Sequence, residues 1–108
     1  FVWTDINRMR TLNANQVSKK KEKHICPLQF DIIERLINRY SMERETVLDP
    51  FGGLFSVPYI ALKKNRKSVA IELNTQYFYD GLFYLKSIIQ ELETPNLFDF
   101  LGSSNETA

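Results

Sequence analysis

The chain has 108 residues, 44% of them hydrophobic and 13% aromatic, with a formal net charge of +1. That is enough for one domain with a real core, and it excludes a disordered polyelectrolyte. The single cysteine, Cys26, excludes an internal disulfide framework and fits a reducing cytoplasm. No apolar run approaches the ~20 residues of a membrane span, and no signal peptide is visible. A chain that begins at Phe1 instead of Met is expected to be a fragment or a processed form.

In chain order, residues 1–15 mix aromatic, polar and basic groups without a period, and residues 16–24 form a charged linker. Lys19, Lys20, Lys21 and Lys23 there, like Lys63, Lys64, Arg66 and Lys67 later, read as solvated loop charge. Pro27 permits a helix start. Leu28, Ile32, Ile33, Leu36, Ile37 and Tyr40 then recur at helical spacing as one apolar face. Residues 46–49 are short and apolar and read as a buried strand ending at Asp49. A helix over roughly 56–64 follows, with Pro58 in its first turn and basic residues at its end. Residues 68–73 are a second strand, parallel to the first. Thr75 is the expected cap of a long helix to about residue 93. Residues 94–101 look like an apolar hook, and 102–108 a loose tail. This division gives an N-terminal arm and linker at 1–24, a folded subdomain at 25–101 and the tail.

Two strands cannot close a sheet, and parallel sheets are normally covered on both faces. The rest of the sheet is expected from a missing segment, from another chain (a second copy included), or from strands within residues 1–25. An exposed edge or apolar face follows from this.

The chemistry concentrates at the strand ends. Asp49-Pro50-Phe51-Gly52-Gly53 follows the first strand, and Glu72 stands in the second, about twenty residues on. In a βαβ unit this places two acids and a glycine turn at one end of the sheet, where a nucleoside-bearing cofactor binds. Glycine permits close backbone approach. Asp-Pro also makes ordinary turns, but a Glu after Val69-Ala70-Ile71 in a buried strand needs a partner, and a ribose diol supplies one. No GxGxxG follows the first strand, which argues against a dinucleotide. The single histidine, His24, and Cys26 lack further ligands at zinc spacing, so no metal site is expected. No P-loop, nucleophile elbow or HExxH occurs.

The segments His24-Ile25-Cys26-Pro27-Leu28-Gln29, Val47-Leu48-Asp49-Pro50-Phe51-Gly52-Gly53 and Ala70-Ile71-Glu72-Leu73-Asn74, with Tyr77, resemble the carboxyl-terminal part of the DNA amino-methyltransferases. These enzymes methylate adenine N6 or cytosine N4 from S-adenosylmethionine. The likeness extends over roughly residues 1–100, including Trp3, Asp5, Ile6 and Asn7, Thr11-Leu12 and Leu97-Phe98-Asp99. With the cofactor half last, the chain is similar to the β arrangement of the family. The resemblance implies a partial Rossmann-like, S-adenosylmethionine-dependent methyltransferase fold, α/β with parallel strands and flanking helices. It implies that Asp49 meets the methionine amino group, that Phe51, Gly52 and Gly53 line the methionine side, that Glu72 holds the ribose hydroxyls, and that the segment of His24 closes over the cofactor. DNA is the implied partner, through the full enzyme.

Two departures shape the functional expectation. The family's catalytic tetrapeptide, an Asp, Asn or Ser before Pro-Pro and an aromatic, is absent from these residues. So is the target-recognition segment; no catalytic residue is therefore assigned, and the chain alone is expected to be inactive. The family's loop also reads Phe-x-Gly-x-Gly, and Phe55 stands at its second glycine. Its ring is expected either to turn into the core or, as the favoured outcome, to occlude or distort the cofactor site. A non-catalytic remnant that binds protein or DNA is the alternative reading; a dinucleotide oxidoreductase is a third.

Overall fold

The computed structural model describes residues 2–12 and 28–94. His24, Cys26 and Pro27, most of the charged linker, most of the 94–101 segment and the tail lie outside the described residues, as does the domain boundary expected at 24.

The elements are α1 (Phe30–Tyr40), β1 (Thr46–Asp49), α2 (Ser56–Lys63), β2 (Lys67–Ala70) and α3 (Thr75–Glu93). The strands are adjacent and parallel, with Thr46 opposite Lys67 and Asp49 opposite Ala70. α2, which joins them, is the hub of the fold and contacts α1, α3 and both strands. Ile33 and Ile37 of α1, one turn apart, meet Ile60 and Ala61 of α2 in the core, with Val47 and Val57 packed on the cluster. This is the α/β arrangement, parallel strands with helices laid on them, that the alternating pattern of strand and helix requires.

The apolar stripe of α1 is wider than its contact. Leu28, just ahead of the helix, and Leu36 are each 43% exposed and Tyr40 is 79% exposed. With Ile33, Ile37 and Val47 they line an open apolar groove of about 420 Å³. Helical spacing identified the face; the described residues supply a neighbour for only half of it.

α2 closes on a paired backbone cap. Asn65 takes a positive φ of 61°. The Asn65 N–H donates to the Leu62 carbonyl at 3.2 Å and the Arg66 N–H to the Ala61 carbonyl at 2.8 Å, the two-bond arrangement that satisfies a helix's last acceptors. Arg66 is not solvated loop charge. Its guanidinium donates to Ser41 Oγ at 3.1 Å, to the Ser41 carbonyl at 2.8 Å and to the Lys64 carbonyl at 2.6 Å. It fastens the end of α1 to the turn before β2.

Two sequence expectations change at β2 and α3. The ladder stops at Ala70 rather than 73. β1 leaves the sheet at Pro50, and beyond the ladder the β2 extension is held at Ile71, whose N–H donates to the Asp49 carbonyl at 3.0 Å and whose carbonyl accepts from the loop. The cap of α3 is Asn74, whose Oδ1 accepts from the Tyr77 N–H at 3.0 Å; Thr75 is the first helical residue.

Residues 2–12 contain no strand. They dock along α1 through exposed charge. Asp5 pairs with Arg35 at 2.5 Å, Arg10 pairs with Glu34 at 3.0 Å and with Asp31, and Trp3 lies under Arg35 and Arg39. Leu12 is buried.

Candidate functional site

Burial alternates without a break from Lys67 to Leu73, although the ladder ends at Ala70. Residues 68, 70 and 72 therefore share one face of the strand and its extension. Asp49 shares that face in β1, since it lies opposite Ala70 and alternates with the exposed Leu48. Glu72 sits one dipeptide step beyond Asp49's partner, a rise of about 7 Å along the strand. The two acids thus occupy the same face at the same end of the sheet.

The loop after β1 crosses this end. Asp49 Oδ1 accepts from the Phe51 N–H at 3.0 Å, which makes Asp49 a turn-former as well as a candidate ligand. The Gly52 N–H donates to the Ile71 carbonyl at 2.7 Å and bridges the loop to the β2 extension. Gly53 takes φ 57°, where a side chain is costly. Phe51 is 88% exposed, so it lines no closed pocket in the described residues. Glu72 is half-buried, and its carboxylate has no hydrogen-bond or ion-pair partner among the described residues. His24 cannot be placed.

Phe55 turns its ring inward. Its ring is 3% exposed, edge-on to Phe78 with centroids 5.7 Å apart. Its backbone is left-handed, φ 66° and ψ 38°, a region that favours glycine. That conformation costs a non-glycine residue roughly 1–2 kcal/mol. Burying the ring returns about 1.5–3 kcal/mol, so the substitution is sustainable. Room for the ring comes from two glycines. A Cβ at Gly52 would lie 2.7 Å from the ring, and one at Gly81, inside α3, would lie 2.4 Å from it. Gly81 costs a helix interior about 1 kcal/mol relative to alanine, and the ring is the physical reason for it. The sequence reading gave Phe78 only as an apolar residue of the long helix and passed over Gly81. The available signal was a lone glycine within a long helical pattern.

Two parallel strands joined through a helix, with an acid closing the first and another just past the second, form an α/β unit consistent with a methyltransferase-like fold. A family model described as DNA methylase matches residues 2–83, and the chain belongs to this family. Among curated proteins it is 33% identical over 81 residues to the DNA adenine methyltransferase YhdJ of Escherichia coli (strain K12), covering 75% of this chain and 26% of that protein. It is 32% identical over 68 residues to the type II methyltransferase M1.MboII of Moraxella bovis, covering 63% and 26% respectively. It is 30% identical over 84 residues to the type II methyltransferase M.HpaI of Haemophilus parainfluenzae, covering 69% and 27%. The chain thus spans about a quarter of the length of these relatives. Among the described residues, no helix is long and apolar enough to cross a membrane.

Proposed function

We propose that this chain is the cofactor-side portion of a DNA amino-methyltransferase, which transfers a methyl group from S-adenosylmethionine to adenine N6 or cytosine N4. The observation that carries the reading is the placement of Asp49 and Glu72 on one face at one end of the sheet, with no protein partner for the Glu72 carboxylate among the described residues. Family membership and the relatives' names supply the substrate class.

In this reading Glu72 accepts hydrogen bonds from the ribose hydroxyls, a use for the carboxylate of a half-buried residue that has no partner among the described residues. Asp49 keeps one oxygen on the Phe51 N–H and presents the other to the methionine ammonium. The backbone of Gly52 and Gly53 lines the methionine side of the ligand. The cofactor supplies an electrophilic methyl on a sulfonium; the protein supplies orientation. The tetrapeptide that would hold the target amine is absent from these residues, so the chain alone methylates nothing, and DNA is engaged through the rest of the enzyme.

Calorimetry with S-adenosylhomocysteine, S-adenosylmethionine and NAD tests this. The adenosyl ligands are expected to bind and NAD not to. Glu72→Ala is expected to weaken S-adenosylhomocysteine by about 1–3 kcal/mol, the scale of charge-assisted hydrogen bonds. Unchanged affinity in that variant would remove Glu72 from the site. No binding by the unaltered chain would favour the non-catalytic module that holds protein or DNA.

A further inference from the structure

Phe55 and Gly81 belong to different parts of the candidate site. Phe55 ends the loop that follows Asp49, and its carbonyl accepts the first bond of α2, from the Tyr59 N–H at 2.9 Å. Gly81 lies in α3, the helix that follows Glu72. The ring of Phe55 fills the space between Gly52 on one side and Gly81 on the other, and Phe78 closes its edge. The same Gly52 donates its N–H to the Ile71 carbonyl, next to Glu72. One aromatic ring therefore touches the loop of the first acid and the helix behind the second.

We infer that Phe55 is a positioning residue: its ring, seated between Gly52 and Gly81, braces the loop after Asp49 against α3 and sets that loop's place relative to Glu72. The inference deepens the cofactor-site reading and rests on it for its consequence, ligand affinity; the brace itself is independent of that reading. It follows that restoring the family's glycine at position 55 impairs the site instead of freeing it. The backbone strain would be relieved, but the loop would lose the object it packs on.

The test is a double-mutant cycle in the full chain with Phe55→Ala, Gly81→Ala and the pair. In the Phe55 background, Gly81→Ala drives a methyl group into the ring and is expected to lower the melting temperature. In the Phe55→Ala background the same change meets no ring and improves the helix, so it is expected to raise the melting temperature. A merely space-filling ring would not single out the loop. Hydrogen exchange at the Gly52 amide is therefore compared with exchange at the β1–β2 ladder amides. Phe55→Ala is expected to accelerate Gly52 exchange at least about tenfold more than ladder exchange, a local opening distinct from global loss. S-adenosylhomocysteine affinity is expected to fall about tenfold in Phe55→Ala and in Phe55→Gly, at temperatures where both are folded.

The brace is overturned if Gly81→Ala has the same sign in both backgrounds, or if Gly52 and the ladder respond alike. Unchanged or improved ligand affinity in Phe55→Gly overturns its role in the site. If the unaltered chain binds no adenosyl ligand, the cofactor reading falls and the positioning of a ligand site falls with it. The exchange and melting results still decide the brace.

Discussion

The sheet has two faces built from similar residues that meet opposite environments. On one, Val47 packs against Ile33, Ile37, Ile60 and Ala61. On the other, Leu48 and Val69 sit opposite each other in the ladder and are 64% and 52% exposed, with Ile71 beyond them 51% exposed. Both faces carry the apolar residues of a strand meant to be covered twice. The described residues cover it once. The contrast teaches that, among the described residues, an apolar strand side chain is buried only on the face that α1 and α2 reach, and that α1, α2 and α3 leave the opposite face uncovered. The chain's quarter share of its relatives' length agrees with that.

The sharpest way to break this comparison is to truncate one residue on each face. Ile60 is 1% exposed at the centre of the covered side. Ile60→Ala is expected to cost about 2–5 kcal/mol in urea unfolding, the range for buried aliphatic truncations. Val69→Thr, on the bare face, is expected to change stability by no more than about 0.5 kcal/mol. Comparable losses at both positions would mean that the bare face is covered in solution.

A smaller effect is expected where the covered layer turns back to the sheet. Asn65 holds φ 61° in the cap of α2. Asn65→Ala is expected to destabilise by about 1 kcal/mol, and Asn65→Gly to be neutral or stabilising, because only the alanine carries the left-handed penalty unrelieved. Equal effects of the two would show that the asparagine side chain, rather than the backbone, matters here.

The smallest effect belongs to the exposed fasteners of the arm. The Arg35 guanidinium, hydrogen-bonded to Asp5, holds that carboxyl below its ordinary range. A lowered folded pKa contributes stability above the unfolded value near 3.9 and loses it as pH falls through the folded one. Asp5→Asn is therefore expected to lower the melting temperature slightly at neutral pH, with the difference vanishing in acid and shrinking in high salt. A difference that grows toward acid would contradict the ion pair.

Much of this was legible in the residues. The strand at 46–49, the helix from 56 and the long helix from 75 follow from periodicity and punctuation, because a chain must satisfy its backbone locally wherever it folds. The two acids at the strand ends were legible too, because alternation assigns a face to each residue of a strand without reference to anything across it. What lies across a face is not encoded in its period. Leu36 and Tyr40 keep helical spacing yet remain exposed, and Arg66 sits in a basic run yet ties Ser41 to Lys64. β2 ends at Ala70 because its neighbour departs at Pro50, a fact about two strands and not one. The direction of Phe55 was the largest tertiary decision. Its left-handed backbone is one that favours glycine, but where its ring packs depended on Gly81, a residue remote in sequence whose missing side chain leaves the space. Local propensity cannot report such a vacancy, because it exists only once α3 has packed against α2.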